Sequence, residues 1–368
     1  MRKVGPLGPI LRGTRVEETN KISGVNSLET EPGADFFSSL FQDSINVLSS
    51  SNTFKSTRMR VAGIVLEVSA ANEEVFEALT DSFTHQPYVN EPSDFKVYAW
   101  SADEKQNVFP SPPTEKIRLG HRGEIENLNG KRFRYVFHSH SQVLIAVDCQ
   151  QGMVIVVVKN RKSLLGIDCA APLRTPLSWL LVTRGIAIVH AAAIAKRDKA
   201  ILLVGRAGSG KSTLAYRGTQ AGWRFLGDDL VALSSSPSPQ VFNLYSTVKL
   251  WNDHGDSMLP SVLVKKWQEK NGKAVFRLDL LNRNVFAHEA ALAAVVLVDR
   301  SLESGRLERV SQGLVTSIVG ASTQLTIPNS DEEIFRVLAS SIGSVSCWRF
   351  SPQDDQTKSC QMMEEILE

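Results

Sequence analysis

The spacing of apolar and polar residues divides the chain into three parts. Residues 1–57 are rich in Ser, Thr, Asn, Glu and Gly and mostly lack the periodicity that lets a segment pack, so we expect them to be largely disordered. The exception is the stretch 35–48, which predicts one amphipathic helix because its apolar residues recur at helical spacing: Phe36, Phe37, Leu40, Phe41, Ile45 and Leu48. Such a helix either docks on the body of the protein or recruits a partner.

Residues 58–168 have the pattern of a small α/β domain. Runs of β-branched and aromatic residues predict strands at 59–68, 95–100, 132–138, 143–147 and 153–159. The stretch 72–79 predicts an amphipathic helix that Asn72 caps and whose first turn is acidic. His138 and His140 would share one strand face, but no third ligand is near in sequence, so we expect surface histidines rather than a metal site. Because it carries no catalytic motif, this region is predicted to be an accessory domain.

Residues 169–368 are predicted to form a second α/β domain. A helix that ends at Gly185 is followed by an apolar run at 186–195, a turn at 196–199 and a strand at 200–204. This order predicts a β-hairpin, which favours a mixed sheet over an array of βαβ units. Further strands are expected at 248–251, 273–278 and 293–298, and surface helices at 334–338 and 362–367.

Composition limits the classes of protein. A chain of 368 residues is long enough for two domains, and 41 basic against 39 acidic residues give a net charge of +2. This balance does not favour nucleic acid or an anionic membrane as the main partner. The four cysteines lack the spacing of a zinc site or a disulfide framework. With no apolar run as long as a membrane span and no signal-like start, the chain is expected to be a soluble cytoplasmic protein.

The chemistry is concentrated in one glycine-rich loop between a predicted strand and a predicted helix. The run from Gly205 to Ser212 matches G-x-x-x-x-G-K-[ST], the phosphate-binding loop, or P-loop. In such a loop backbone N–H groups surround phosphate oxygens, Lys211 neutralises their charge, and the Ser212 hydroxyl ligates magnesium. We therefore expect ATP and Mg²⁺ as cofactors, with these nucleotide-binding residues: Gly205, Arg206, Ala207, Gly208, Ser209, Gly210, Lys211, Ser212 and Thr213.

Two adjacent acids, Asp228 and Asp229, follow the loop by one helix length. Neighbouring carboxylates at a strand end cannot both be buried and charged without a cation or a proton that compensates them. The pair therefore fits a site that holds magnesium and includes a carboxylate able to accept a proton. The alternative interpretation is a pair of ordinary turn acids.

Together with His190, which lies fifteen residues before Gly205, these motifs resemble the catalytic core of bacterial HPr kinase/phosphorylase and its relatives over about residues 186–233. The resemblance implies a P-loop kinase domain with a mixed sheet, HPr kinase / PEP carboxykinase-like in fold. It also implies that Ser212 and Asp228 bind the metal and that Asp229 is the general base toward a substrate serine. His190 would support that base, and Lys211 would complete the catalytic set.

The resemblance has limits that bear on the reaction. Thr213 stands where HPr kinases commonly have glutamate, and Ala207 replaces their loop serine. No counterpart of their later phosphorolysis segment is found, so we do not expect inorganic phosphate to reverse the reaction. The chain looks closer to divergent relatives that phosphorylate a serine of a ribosomally made precursor peptide, for example in lasso-peptide clusters.

The leading hypothesis is therefore an ATP-dependent serine kinase that acts on a peptide or small protein, with Asp229 as general base. The alternatives are a nucleotide-dependent regulator, either a weak NTPase or a pseudokinase, and a kinase of free serine. The sequence does not distinguish ATP from GTP as the nucleotide, nor a monomer from a homo-oligomer. Four basic residues are candidate phosphate or substrate contacts: Lys249, Lys273, Arg277 and Arg283.

Overall fold

The computed structural model describes residues 31–103, 108–112, 117–164, 166–251, 266–268, 272–327, 332–353 and 356–368. The chain forms two compact units, of which the first extends to Cys169 and the second begins at Ala170. Two short segments from the N-terminal half, Val61–Gly63 and Ser82–Gln86, belong to the second unit. The predicted division at residues 168–169 contains no signal for these insertions. A cut there would remove both segments from the second unit.

In the described residues, the first unit contains a six-stranded mixed sheet in the order β1-β2-β3-β6-β5-β4. β2, β3 and β6 are parallel, whereas β6, β5 and β4 are antiparallel. The predicted strand at 59–68 is two strands, because Ala62 (φ 48°) and Gly63 (φ 79°) form a tight turn of the kind that closes two-residue hairpins. The strands are β1 (Lys55–Val61), β2 (Ile64–Ala70), β3 (Phe95–Ser101), β4 (Phe133–His138), β5 (Val143–Asp148) and β6 (Met153–Val158).

The first unit also contains helices α1 (Ala34–Ser50) and α2 (Glu73–Thr80), and the chain passes into the second unit in α3 (Gly166–Ala170). Asn72 caps α2 as predicted, since its side chain accepts the Val75 N–H at 2.9 Å. The apolar face of α1 lies in the core: Leu40 is fully buried and the Phe36 ring stacks on Tyr135 at 5.6 Å. The helix is therefore docked. Residues 34–61 form a helix and a strand, where composition predicted one helix in an otherwise disordered segment.

The described part of the second unit is built on a nine-stranded mixed sheet, with the order β10-β8-β9-β16-β12-β11-β7; in addition, β18 pairs with β16, and β17 pairs with β18. A three-stranded sheet, β13-β15-β14, packs nearby. The strands are β7 (Ile186–Val189), β8 (Ala192–Lys196), β9 (Lys199–Val204), β10 (Arg224–Gly227), β11 (Val231–Ser234), β12 (Gln240–Phe242), β13 (Thr247–Trp251), β14 (Lys266–Gln268), β15 (Lys273–Arg277), β16 (Glu289–Val298), β17 (Leu307–Arg309) and β18 (Ser346–Phe350).

Helices cover both faces of this large sheet. α6 (Gln312–Thr326) and α7 (Glu332–Gly343) pack on one face, while α5 (Lys211–Gln220), α8 (Gln356–Glu365) and the small sheet pack on the other. α4 (Arg174–Val182) precedes β7. The predicted surface helices at 334–338 and 362–367 contribute to these cores, because Leu338 and Met363 are fully buried. Two apolar layers therefore enclose the strands that carry the glycine-rich loop.

The predicted hairpin before the glycine-rich loop is confirmed. β8 and β9 are antiparallel, and Arg197 (φ 51°) and Asp198 (φ 62°) form the two-residue turn between them. The predicted run 186–195 is, however, broken at His190 and Ala191, because β7 pairs with β11 instead of β8. The register Val189↔Val231 brings the residue after β7 beside the residues before β11. This pairing places His190 at the end of the sheet where Asp229 lies.

No helix in the described residues is long and apolar enough to cross a membrane.

The docking of α1 makes a prediction about stability. Leu40→Ala removes a fully buried side chain and should lower the free energy of unfolding by about 2–5 kcal/mol. Ser49→Ala, an exposed position on the same helix, should change it by less than about 0.5 kcal/mol. Urea unfolding followed by circular dichroism measures both. Equal, small effects would mean that α1 does not pack on the first unit.

Candidate active site

The glycine-rich loop connects β9, which ends at Val204, to α5, which begins at Lys211. Its glycines at 205, 208 and 210 have φ values of 139°, 80° and 104°, conformations that residues with a side chain rarely adopt. At Gly205 a Cβ atom would also lie 2.6 Å from the carbonyl oxygen of Val298, at the end of the neighbouring parallel strand. The spacing of these glycines therefore dictates the path of the loop.

Lys211 is buried, and its ammonium group lies over the loop. Nζ donates to the carbonyl oxygens of Gly205 at 2.8 Å and Arg206 at 3.0 Å. Burial lowers the pKa of Lys211, while the charges of Asp228 and Asp229 act to raise it. A buried cation whose direct hydrogen bonds among the described residues go to neutral carbonyl groups is suited to bind a phosphate, because its attraction for an anion is weakly screened there.

Arg300 is a second cation at the loop, and the sequence reading did not identify it. Its Nε donates to the Ser209 carbonyl at 3.2 Å, and its guanidinium lies against Gly210. Arg300 follows β16 by two residues, and β16 is parallel to β9. Because parallel strands end at the same edge of a sheet, a basic residue just beyond β16 was the available signal.

The two aspartates occupy a strained turn between β10 and β11. The Leu230 N–H donates to the Asp228 carbonyl oxygen at 2.8 Å, and the central residue, Asp229, has a φ of 69°. A three-residue turn with a positive φ at its centre is rare and strained. At Gly227, just before the turn, a Cβ would lie 2.6 Å from Val231 Cγ1. Gly227 is therefore required for the close approach, and aspartate is among the few residues that tolerate this φ.

Asp228 is 5% exposed, and its Oδ2 accepts the backbone N–H of Lys249 at 2.8 Å. The Ser212 hydroxyl also hydrogen-bonds this carboxylate. Burial raises the pKa of Asp228, and the charge of Asp229 raises it further, whereas the Lys249 and Ser212 contacts act in the opposite direction. These hydrogen bonds do not outweigh the effects of burial and of the neighbouring charge on the Asp228 carboxylate. A cation would stabilise its ionised form, so Asp228 is a strong candidate cation ligand.

Asp229 has different surroundings. Its Oδ2 lies 2.8 Å from Lys249 Nζ, and its Oδ1 lies 3.4 Å from His190 Nε2. Burial acts to raise the pKa of Asp229, but the Lys249 charge and the His190 contact outweigh it and hold that pKa well below its usual range. Asp229 is therefore ionised, and its two partners orient its oxygens.

His190 is anchored from the opposite side by α6. Its backbone N–H donates to the Thr323 hydroxyl at 3.0 Å, and Thr323 is almost fully buried. Its Nδ1 has no hydrogen-bond partner among the described residues. The break between β7 and β8 thus gives the imidazole a fixed backbone and aims Nε2 at Asp229.

The fold brings most of the predicted site residues together: His190, Lys211, Ser212, Asp228 and Asp229. Of the four predicted basic contacts, Lys249 enters the site, and Lys273 is near enough to lower the pKa of Lys211. Arg277 does not reach it, because it is buried in an ion pair with Asp279 at 2.6 Å. Arg283 lies on the exposed surface.

The donor atoms at this site suit a hard cation shared with a ligand. Within the described residues no cluster of three or more His, Cys, Asp or Glu side chains could hold a metal. Ser212 and Asp228 supply two oxygen donors side by side. This number fits Mg²⁺, which proteins usually hold through one or two carboxylates together with substrate phosphates and water.

Comparison with known proteins adds little at the level of residues. No protein-family model and no curated protein matches the chain. Among solved structures, the Hpr(Ser) kinase/phosphatase from Coxiella burnetii is similar at 11% identity and a TM-score of 0.26, over 49% of this chain and 96% of that chain. This is a distant structural relation that assigns no residue here a role. Membership of the HPr kinase-like family stays a prediction.

The opposite environments of the two aspartates predict opposite effects on stability. Asp229→Asn removes the carboxylate from its ion pair with Lys249 and should lower the free energy of unfolding by about 1–3 kcal/mol at pH 7. Asp228→Asn removes a buried charge but keeps an oxygen for the Lys249 N–H, so it should stabilise by about 1 kcal/mol. Thermal unfolding without nucleotide or metal measures both.

The pH dependence of these differences follows from the pKa directions. Ionised Asp228 lowers the free energy of unfolding, and this loss appears as pH rises through the raised pKa of Asp228. The stability that Asp228→Asn gains over wild type should therefore grow with pH. Ionised Asp229 raises the free energy of unfolding. This contribution is complete above about pH 3.9, the pKa of the residue in the unfolded chain, and is lost only as pH falls through its lowered pKa in the folded chain. Shifts of the same sign for both variants at pH 7 would contradict the assigned environments.

Proposed function

We propose that this chain is an ATP-dependent kinase that transfers the γ-phosphoryl group to a serine hydroxyl of a peptide or small protein. The observation that carries the proposal is an ionised Asp229, oriented by His190 and Lys249, beside a carboxylate and a hydroxyl that adjoin a P-loop lysine. A site that only bound nucleotide would have no need of an oriented carboxylate.

The P-loop supports binding of the donor nucleotide. Backbone N–H groups at the start of α5 and the Lys211 ammonium would hold the phosphates. Ser212 and Asp228 would hold Mg²⁺, which neutralises phosphate charge when it is bound. Arg300, at the other side of the loop, is available to the same phosphates.

Asp229 would receive the proton of the acceptor hydroxyl. The acceptor O–H bond breaks, a new O–P bond forms, and ADP leaves with the electrons of the old O–P bond. Phosphoryl transfer goes through a loose transition state, so orientation of the hydroxyl contributes more than base strength. Lys249 would keep Asp229 ionised until the acceptor enters and would then face the transferred phosphoryl group.

A peptide or small protein is the proposed acceptor because of the strand that carries Lys249. Two residues further along β13, Trp251 is 45% exposed, and Lys273 Nζ lies 5.3 Å from the centroid of its ring. An exposed indole with an adjacent cation, on the same strand face as Lys249, offers contacts to an extended segment. A free amino acid would not reach both Asp229 and this surface.

One observation favours a second candidate, a nucleotide-dependent regulator. The ion pair between Lys249 and Asp229 neutralises the proposed base, and a carboxylate that keeps this partner accepts a proton poorly. If Lys249 does not leave Asp229 when nucleotide binds, the chain would bind or slowly hydrolyse nucleotide without phosphorylating an acceptor.

The first functional prediction concerns nucleotide binding. Lys211→Ala should weaken binding of Mg·ATP at least about tenfold, because it removes the buried cation of the loop. Lys199→Ala, at the opposite end of β9 and exposed, is the matched control and should bind like wild type. Isothermal titration calorimetry measures both affinities. Unchanged binding by Lys211→Ala would remove the P-loop from the mechanism.

The second functional prediction concerns transfer. The chain is incubated with γ-labelled ATP, Mg²⁺ and either free serine or a synthetic peptide that contains a serine. We expect a serine monoester on the peptide, about 80 Da heavier by mass spectrometry, and none on free serine. Asp229→Asn should lose transfer yet bind Mg·ATP within a few fold of wild type, whereas Asp228→Asn should also weaken metal-dependent binding.

Each result of this assay discriminates between functions. Label on free serine alone would replace the peptide acceptor, and nucleotide binding with no labelled acceptor would favour the regulator. Normal turnover by Asp229→Asn together with loss in Asp228→Asn would reverse the two roles. His190→Ala should slow transfer without abolishing it, because it orients the base.

A further inference from the structure

Residues Ser82–Gln86, which we call the 82–86 segment, leave the first unit after α2 and belong to the second unit. Ser82, Phe83, His85 and Gln86 are buried there. Their hydrogen-bond partners lie about 160–200 positions away in sequence, for example Gln86 with Asn243 and Thr84 with Asp279. A segment with so many buried polar contacts of long range is a fixed part of the second unit.

The C-terminal end of the 82–86 segment forms hydrogen bonds with Asn243, which follows β12. Gln86 Nε2 donates to the Asn243 side-chain oxygen at 2.9 Å and to the Asn243 backbone oxygen at 3.1 Å. His85 Nε2 contacts the same side-chain oxygen. Burial lowers the pKa of His85 to about 4, so the ring is neutral and donates from Nε2. These contacts use the acceptor oxygen of Asn243 and leave its amide nitrogen for another partner.

The Asn243 amide nitrogen holds the strand that leads to the carboxylates. Nδ2 donates to the Leu226 carbonyl at 3.0 Å and to the Tyr245 carbonyl at 3.3 Å. Leu226 belongs to β10 and lies two residues before Asp228. Asn243 is fully buried, so neither of its groups has water as an alternative partner.

The N-terminal end of the segment holds the chain that enters β13. The Ser82 carbonyl accepts the Ser246 N–H at 2.8 Å, three residues before Lys249. The neighbouring Thr84 hydroxyl lies within the buried Arg277–Asp279 pair, at 2.8 Å from Arg277 Nη2 and 2.6 Å from Asp279 Oδ2. The segment therefore contacts the approaches to both strands that meet at the candidate active site.

We infer that the 82–86 segment positions the candidate active site, with Gln86 and Asn243 as positioning residues that fix the end of β10 relative to the start of β13. The two contacts of Lys249, from its backbone to Asp228 and from its side chain to Asp229, require these strands at one separation. The strained turn at Asp229 needs such support, because strained backbone persists only where its surroundings over-determine it.

Hydrogen–deuterium exchange tests the inference without any ligand. Gln86→Met keeps the side-chain volume but removes all three hydrogen bonds that the Gln86 amide donates, two to Asn243 and one to the Leu244 carbonyl oxygen. Amides of residues 226–231 should then exchange at least about tenfold faster, while those of α5 stay at wild-type rates. Ile342→Val, which removes a buried methyl group from α7, is the control for a general loss of stability. Unchanged exchange at 226–231, or loosening spread as in the control, would overturn the inference.

A second measurement links the segment to the site and rests on the proposed function. Mg²⁺ should strengthen ATP binding to the wild type, and Gln86→Met should reduce this enhancement at least about fivefold while metal-free binding changes little. Absence of any enhancement in the wild type would count against the proposed function and leave the exchange result standing. An undiminished enhancement in Gln86→Met would refute the positioning role. His85→Leu, which loses one contact, is the milder variant if Gln86→Met does not fold, and it should loosen the same amides less.

Discussion

Two carboxylates on adjacent residues at the end of a buried strand are the constraint on which the rest of the site depends. Asp228 and Asp229 raise each other's cost of ionisation, and burial adds to it. The two carboxylates are compensated to different degrees. The Lys249 ammonium contacts Asp229, whereas Lys249 gives Asp228 a hydrogen bond from its backbone N–H. The charge of Asp229 is therefore compensated by an ammonium group, whereas that of Asp228 is compensated chiefly by hydrogen bonds from the Lys249 N–H and the Ser212 hydroxyl.

The features that depend on local spacing could be predicted from the sequence. The P-loop glycines, the hairpin before them, the Asn72 cap and the aspartate pair are each defined by a few neighbouring residues. Their chemistry is local as well, because a glycine spacing sets a loop path and a side-chain oxygen caps a helix wherever they occur. For this reason the sequence alone indicates the candidate phosphate site.

What the sequence did not reveal depends on contacts between distant residues. Lys249 was one of four basic candidates, and only pairing in three dimensions separates it from the buried Arg277. The break at His190 has no signal in an unbroken apolar run, since it reflects the pairing of β7 with β11. The 82–86 segment lies in a region with the pattern of another domain, and nothing local marks its partners at 243–246.

The energy of the strained turn shows why these distant contacts matter. A residue held at positive φ costs about 1–3 kcal/mol, and a typical net hydrogen bond returns about 1 kcal/mol. The Leu230–Asp228 bond within the turn therefore offsets only part of this strain over most of that range. The turn is also stabilised by the contacts of Asp229 with Lys249 and His190. The hydrogen bond from Asn243 to the Leu226 carbonyl oxygen in β10 stabilises the strand that precedes it. Because the contact with Lys249 joins the turn to β13, any movement of that lysine away from Asp229 would weaken the support of the turn.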